Sequence, residues 1–191
     1  LSWTTTPWTL PGNVALVVGE DIDYVKVKHC ASMDSARHDS AESEIFILAK
    51  ELAPKVFKDV SFEIVEELKG KDLVGLEYIP PFDYYAGKVE NSENGWKVYS
   101  ADFVTTEEGT GIVHIAPAFG TDDLVVGQKY NLPFIQHVNI RGEFKSEVVD
   151  FAGLVVKKKD DTMSADIEIV KYLAGKALLF SKEKITHSYP L

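Results

Sequence analysis

Near the start of the chain lies WTTTPWTLPGN (residues 3–13), an uncharged segment with four threonines, two tryptophans and two prolines. Threonine is stiff at χ1 and proline cannot continue helical hydrogen bonds, so this composition disfavours a helix. Two tryptophan side chains also need burial, which is unusual for an ordinary surface loop. The segment therefore predicts an extended, rigid wall that presents hydroxyl groups to a small polar ligand. The alternative is a threonine-rich edge strand that ends at proline.

A second unusual segment is GTGIVHIAPAFGTDD (residues 109–123). Its β-branched run Ile112–Ile115 predicts a short strand, and the helix that follows has acidic residues in its first turn, which the helix dipole favours. A strand, a bend and a helix would bring His114 and Asp123 to one end of a sheet. The bend at 116–120 would offer backbone N–H groups to an anion. Singly, Asp123 is typical of a helix start and His114 of a buried imidazole, but beside the threonine wall they indicate a ligand site.

The rest of the chain reads as short strands with two or three helices. Apolar runs and alternating patterns predict strands at 13–18, 24–28, 62–68, 96–104 and 178–185. The run Ile45–Ala49 is apolar, but its periodicity does not decide between strand and helix. Met163, Ile167, Val170 and Ala174 share one face of a predicted helix that ends at Gly175. Together these elements predict a β-rich α+β fold, a closed β-barrel core decorated with a few helices.

The composition is that of a soluble globular protein, with 45% hydrophobic and 26% charged residues among 191. This length is enough for one domain with a substantial core. Cys30 is the only cysteine, so no disulfide forms within the chain and no cysteine zinc site is possible. Neither a secretory leader nor an apolar run near the roughly 20 residues of a membrane span is present. We expect a cytoplasmic protein, and the start without methionine suggests a piece of a larger one.

The charge balance argues against an autonomous nucleic-acid-binding module. Twenty basic and thirty acidic residues give a net charge of −10, whereas such modules usually have a basic face. The basic run Lys157-Lys158-Lys159 is more typical of a solvated loop or strand end. A tRNA partner would therefore be bound mainly by other parts of a larger protein, and this chain would contact only its 3′ end.

Together, the two segments resemble the editing insertion of the class I aminoacyl-tRNA synthetases, and within that family its isoleucine branch. The resemblance extends to HSYP (residues 187–190), so we expect residues 1–191 to be a single editing domain of a larger synthetase. It implies hydrolytic proofreading of valyl-tRNA(Ile), with valine admitted and isoleucine excluded, and valyl-adenylate as a further candidate substrate. The synthetic signatures His-x-Gly-His and Lys-Met-Ser-Lys-Ser are absent, so we expect no amino-acid activation.

The resemblance also implies roles for particular residues. Asp123 matches the aspartate that binds the α-ammonium of the aminoacyl group, and His114 matches the histidine that excludes isoleucine. The threonines implied to surround the scissile ester and the terminal ribose are Thr4, Thr5 and Thr6, which we group with Asp123 as catalytic. The other substrate-binding candidates are Thr9, Trp8, Phe119 and Gly120, although the Trp8 indole fits a place in the core equally well. The implied partners are the 3′-terminal aminoacyl-adenosine of tRNA(Ile) and the remainder of the synthetase.

Other chemistries fit the sequence less well. A threonine nucleophile needs an adjacent base with a third orienting group, and Asp123 is already assigned to the ammonium. The five histidines lack metal-binding spacing such as His-Glu-x-x-His, so we expect neither a metal nor a cofactor. A non-catalytic module that binds aminoacyl-adenosine or the tRNA 3′ end, dependent on the parent synthetase, is the alternative function.

Overall fold

The computed structural model describes residues 1–29, 44–58, 60–158 and 163–183. The strands are β1 Ala15–Val18, β2 Asp23–His29, β3 Ile45–Ala49, β4 Phe62–Lys69, β5 Lys97–Ser100 and β6 Val113–Ile115. The α-helices are α1 Ala53–Val56, α2 Gly70–Leu73, α3 Thr121–Lys129 and α4 Ser164–Gly175. Short 3-10 helices cover Pro7–Gly12, Lys50–Leu52 and Ser92–Asn94. The predictions for Cys30, Lys159 and residues 187–190 lie outside the described residues.

The first sheet has the strand order β5-β1-β6. Strand β1 pairs parallel with β5 and antiparallel with β6, which sets His114 directly opposite Leu16. The apolar run of β1 is almost completely buried, as expected for a central strand covered on both faces. This sheet thus fixes His114 in the protein core.

The second sheet has the order β3-β2-β4, and both pairings are antiparallel. In β2, Tyr24, Val25 and Val27 are fully buried, and the register against β4 shifts between Lys26 and Val27. Most of β4 is exposed, in keeping with its glutamate-rich sequence. The apolar run of β3 is a strand, which settles the ambiguity left by its periodicity.

The bend at Gly109–Gly111 connects the two sheets. The Ala49 N–H in β3 donates to the Thr110 carbonyl at 2.8 Å, and the buried Tyr24 hydroxyl donates to the Gly111 carbonyl at 2.6 Å. Gly111 has φ +72°, and a Cβ there would lie 2.5 Å from the Ala49 Cβ. Glycine is thus required by both the backbone conformation and the close approach.

A separate group of buried side chains supports the start of the chain. Helix α4 contributes Ala165, Ile169 and Leu173 to it, and Trp8 and Phe119 pack against it. Its other members are Phe82, Val138, Phe144, Val148, Phe151 and Val156. The C-terminal helix therefore lies behind the threonine-rich segment.

The observed architecture is a mixed α/β fold. The strands of the described residues form two three-stranded sheets, and the closed barrel predicted from the sequence is not seen among them. Within that part of the chain, no helix is long and apolar enough to cross a membrane.

Two predicted strands differ from the structure: the strand at 96–104 is limited to Lys97–Ser100, and the strand at 178–185 is not formed in the residues that the structure describes. Residues 178–183 form no strand, although Leu178–Ile185 was expected to be one; residues 184 and 185 are outside the described ranges. Helix α4 ends at Gly175 as predicted, and its buried face is Ala165, Ile169 and Leu173, whereas Met163 and Ile167 on the predicted face are exposed. Apolar residues occur on both helical faces, so periodicity alone could not decide which face the core would cover.

Candidate functional site

The threonine-rich segment is extended only at its beginning. Trp3 forms a parallel bridge with Val113 of β6, and its N–H donates to the Ile112 carbonyl at 3.3 Å. Gly109 has φ +75°, and a Cβ there would lie 2.9 Å from Cγ of Trp3, so this glycine allows the tryptophan to pack. The first half of the segment is thus held alongside the strand that carries His114.

The second half of the segment forms a 3-10 helix, Pro7–Gly12, instead of the predicted extended wall. A short 3-10 turn tolerates proline at its start, where the missing N–H would have no partner. The Thr6 N–H donates to Thr4 Oγ1 at 3.1 Å, and the Thr9 N–H donates to the Thr6 carbonyl at 3.0 Å. The turn places Thr4 and Thr9 on the same side, toward His114.

His114 is the centre of the site. Its Nε2 lies 3.2 Å from Oγ1 of Thr9 and 3.3 Å from Oγ1 of Thr4. The histidine and Thr9 are buried, whereas Thr4 is half-buried. The structure therefore brings together three of the residues predicted for the site, although they lie more than 100 positions apart in the chain.

The contacts of Thr9 determine which nitrogen of His114 carries the hydrogen. The Thr9 hydroxyl donates its only hydrogen to the Thr6 carbonyl at 2.8 Å, so its oxygen can only accept from His114. Nε2 is then the protonated nitrogen, and the buried Nδ1 has no hydrogen-bond partner among the described residues. Burial lowers the pKa of His114 to about 4, which keeps the ring neutral at neutral pH.

Asp123 lies in the first turn of α3, where the helix dipole favours a carboxylate. Its Oδ2 accepts a hydrogen bond from the backbone N–H of Ala116 at 2.9 Å. Partial burial raises the pKa of Asp123, against the opposing effect of that hydrogen bond. Gly120 leaves room for the carboxylate, since a Cβ at this position would lie 3.0 Å from Asp123 Cγ. The carboxylate is held by the bend, and its burial is not fully compensated.

Trp8 and Phe119, both predicted to bind substrate, pack against each other. Their ring centroids are 5.1 Å apart in an edge-to-face arrangement, which aromatic pairs prefer. Both rings are half-buried and pack against the core behind the threonine segment. The aliphatic chain of Lys157 also brings its Nζ within 5.9 Å of the centroid of the Trp8 ring.

Two predicted residues, Thr5 and Thr6, have exposed side chains. Thr6 contributes its carbonyl to the turn, accepting from both the N–H and the hydroxyl of Thr9. Among the described residues, no group of three or more histidine, cysteine, aspartate or glutamate side chains is arranged to hold a metal ion.

Two residues at the site were missed by sequence reasoning. His137 is fully buried and lies 3.0 Å by its Nε2 from the Trp8 carbonyl oxygen, and Asp166 accepts from the Trp8 N–H at 2.9 Å. The only sequence signal for Asp166 is its place beside Ala165 on the face of α4 that turns out to be buried. No local pattern distinguishes His137.

The geometry limits the chemistry of this site. Because His114 Nε2 carries a hydrogen, the ring cannot accept the Thr4 proton at that nitrogen, and Thr4 is not activated as a nucleophile. The Thr4 oxygen instead accepts the Thr6 N–H, which leaves its own hydrogen free to be donated to a bound ligand. The site offers polar contacts beside a neutral ring, and the first turn of α3 carries a partly buried carboxylate that is hydrogen-bonded to the preceding bend.

Isoleucine–tRNA ligases match this chain along its whole length. The ligases of Clostridium tetani (strain Massachusetts / E88) and Bacillus thuringiensis (strain Al Hakam) are each 43% identical over 190 residues. The ligase of Bdellovibrio bacteriovorus is 41% identical over 192 residues. Each match covers 100% of this chain, and the chain spans 16% of the length of each of these relatives. No family model matches the chain.

Among solved structures, the crystal structure of GlLeuRS-CP1 is similar to this chain with a TM-score of 0.62. The match covers 96% of this chain and 84% of that one, at 15% sequence identity. At this identity the similarity shows the fold alone: the chain shares its mixed α/β fold with GlLeuRS-CP1.

Proposed function

We propose, from the homology of this chain to one segment of the isoleucine–tRNA ligases, that it is the domain of such an enzyme that removes wrongly attached amino acids from tRNA. Its substrate is valyl-tRNA(Ile), whose aminoacyl ester is hydrolysed by water to valine and free tRNA. Isoleucyl-tRNA(Ile) is refused. Residues 1–191 form one editing domain, whose partners are the 3′-terminal aminoacyl-adenosine and the rest of the synthetase, in the cytoplasm.

The similarity of the two amino acids makes such an activity necessary. Valine and isoleucine differ by one methylene, which a hydrophobic pocket can use for only about 1–3 kcal/mol of discrimination. A synthetic site that accepts isoleucine must therefore also accept some valine. A second, smaller site that admits valine and excludes isoleucine corrects these errors by hydrolysis.

The observation that supports this proposal most is the convergence of the Thr4 and Thr9 hydroxyl oxygens on Nε2 of the buried, neutral His114. Such a site can orient an ester and a water through hydroxyl groups while the ring limits the volume for the amino-acid side chain. It lacks an activated protein nucleophile, which favours attack by water, assisted by a ribose hydroxyl of the substrate. In this proposal Thr4, Thr5 and Thr6 line the scissile ester.

Asp123 binds the α-ammonium group of the aminoacyl moiety. A cationic amine that enters a confined pocket needs a paired charge, because burying it alone is costly. The raised pKa of Asp123 marks a carboxylate whose burial is only partly compensated by the Ala116 N–H. The substrate ammonium would supply the missing compensation.

The proposal is tested by incubating this chain at high concentration with valyl-tRNA(Ile) and, separately, with isoleucyl-tRNA(Ile). Release of valine alone is the expected result. Release of both amino acids at similar rates would contradict the proposed sieve, even though it would support an esterase.

The alternative, a non-catalytic binding module, is favoured by the net charge of −10, which weakens contact with tRNA phosphates. It predicts no release of valine but saturable binding of a non-hydrolysable valyl-adenosine analogue. An absence of both hydrolysis and binding would contradict both functions.

A further inference from the structure

The 3-10 turn Pro7–Gly12 leaves two backbone groups of Trp8 without partners inside the turn. A 3-10 helix pairs the carbonyl of one residue with the N–H three positions later, and for Trp8 that residue is Pro11, which has no N–H. The Trp8 N–H lies in the first turn, where helical N–H groups have no internal partner. Buried polar groups of this kind need partners from elsewhere.

Two distant side chains supply those partners. Asp166 Oδ1 accepts from the Trp8 N–H at 2.9 Å, and His137 Nε2 donates to the Trp8 carbonyl at 3.0 Å. They lie 158 and 129 positions from Trp8 along the chain. Each of these two side chains thus supplies a hydrogen bond that the turn itself cannot make.

The surroundings of His137 orient its side chain toward the Trp8 carbonyl. Its ring is fully buried, and since a carbonyl only accepts, its Nε2 must carry the hydrogen. A Cβ on Gly12 would lie 2.4 Å from His137 Nδ1, so only glycine there leaves space for the ring. The ring also packs edge-to-face on Phe119 and stacks on Phe144. Gly12, Phe119 and Phe144 thus restrict the ring and, with it, the direction of its N–H group.

Asp166 connects the turn to helix α4. It is buried, as are the core residues Ala165 and Ile169 of the same helix. A buried carboxylate is costly unless it is hydrogen-bonded, and the Trp8 N–H offsets part of that cost, although burial still raises the pKa of Asp166. The helix is therefore docked onto the threonine segment at a defined position.

From these contacts we infer that Asp166 and His137 are positioning residues for the hydrolytic site. By holding both sides of the Trp8 main chain, they fix the next residue, Thr9, whose hydroxyl lies 3.2 Å from His114 Nε2. The inference rests on the proposed function for its effect on catalysis. The structural part, that these side chains set the Thr9–His114 contact, stands apart from that function.

The test compares Asp166→Asn, which keeps an oxygen acceptor at the same place, with Asp166→Ala, which removes it. Glu168→Ala changes an exposed carboxylate on the same helix and serves as the control. In deacylation of valyl-tRNA(Ile), we expect Asp166→Ala to lower kcat about tenfold or more with KM changed by less than about threefold, because small displacements of positioned groups lower the rate. Asp166→Asn and Glu168→Ala should stay within about twofold of the unchanged chain.

A second measurement needs no activity. In nitrogen-15 NMR spectra of the histidine rings, Asp166→Ala should shift the His114 Nε2 signal, while Asp166→Asn should leave it in place. If the unchanged chain hydrolyses nothing, the proposed function fails, but this spectrum still tests the positioning. Unchanged kcat and an unchanged His114 signal in Asp166→Ala would overturn the inference.

Since Asp166→Ala could prevent folding, His137→Phe provides an independent test. It keeps the ring packing on Phe119 and Phe144 but removes the donor to the Trp8 carbonyl. The same loss of kcat and the same change in the His114 spectrum are expected. If a folded His137→Phe variant has wild-type kcat and His114 signal, the role of His137 is excluded.

Discussion

His114 is held in one tautomer and one orientation by residues from the start of the chain, and burial lowers its pKa to about 4. Its Nε2–H is directed at two threonine oxygens, and the Thr9 oxygen cannot reverse the bond because its hydrogen is already donated to Thr6. A neutral ring fixed in this way has a defined shape and adds no charge to the pocket. These properties suit a residue that limits the size of the amino acid rather than one that transfers protons.

The proposed contact between Asp123 and the substrate ammonium can be tested by substitution. We expect Asp123→Ala to lower kcat/KM for valyl-tRNA(Ile) about a hundredfold, because a buried charge left without its partner costs roughly 2–5 kcal/mol. Asp123→Asn, which keeps an oxygen for the Ala116 N–H but not the charge, should be nearly as defective. The control is Asp122→Asn, since Asp122 is exposed one position away. Deacylation near the unchanged rate in Asp123→Ala would remove this residue from the site.

The second residue-scale prediction concerns selectivity. Removal of the ring in His114→Ala should enlarge the pocket and allow isoleucyl-tRNA(Ile) to be hydrolysed. The measurement is the ratio of isoleucine to valine release by the same variant, so a general loss of activity does not affect it. We expect this ratio to rise at least about tenfold, within the range that one methylene can control. Unchanged refusal of isoleucine would exclude His114 as the sieve.

Part of the candidate site could be predicted from the sequence. The approach of Thr4 and Thr9 to His114 follows from two unusual segments, each recognisable by its own composition. The positions of His137 and Asp166 could not be predicted, because their hydrogen bonds to Trp8 cross 129 and 158 residues and depend on how α4 docks. The role of Asp123 stays a prediction, since its hydrogen bond in the structure is to Ala116.

Among the elements, the short strands were the most predictable. Runs such as Val14–Val18 and the alternation of Tyr24–Lys28 fall on β1 and β2, since burial of these strands is set by local hydrophobicity. The conformation of the threonine segment could not be predicted, because the prolines in the short turn Pro7–Gly12 are accommodated by hydrogen bonds from distant side chains. The sequence also did not indicate which of the two apolar faces of α4 would be buried, because tertiary packing decides between them.

The element-scale prediction concerns the bend that joins the two sheets. Gly111→Ala should destabilise the chain twice over, by strain at positive φ of about 1–2 kcal/mol and by contact with the Ala49 Cβ. Gly153→Ala is the matched control, since Gly153 has φ +79° but no atom within 4 Å of its Cβ position. In urea unfolding, we expect Gly111→Ala to lose at least about 1 kcal/mol more than the control. Equal losses would mean that the close approach to β3 has no energetic weight.

At the scale of the whole molecule, two sheets and a helical layer meet around buried polar groups. The Tyr24 hydroxyl, the Thr110 carbonyl and the imidazoles of His114 and His137 all lie in the interior with specific partners. Buried groups of this kind specify one arrangement of the sheets, because any other would leave them unpaired. They also couple the stability of the fold to pH.

The whole-molecule prediction follows from the two buried histidines. Burial lowers the pKa of both His114 and His137 to about 4, whereas an unfolded chain has histidine pKa values near 6.5. Between these pH values the histidines bind protons in the unfolded chain but not in the folded chain. The free energy of unfolding should therefore fall as the pH drops from about 6.5 to about 4, by up to about 3 kcal/mol per histidine. Burial raises the pKa of Asp123 and of Asp166, so the folded chain binds protons more readily than the unfolded chain at these two carboxylates. This effect opposes that of the histidines and offsets part of the loss of stability at the acidic end of the pH range. Urea unfolding at several pH values in this range measures how steeply the free energy of unfolding depends on pH. The His137→Phe variant should lose about half of this dependence. An unchanged dependence in that variant would mean that the pKa of His137 is not lowered by folding.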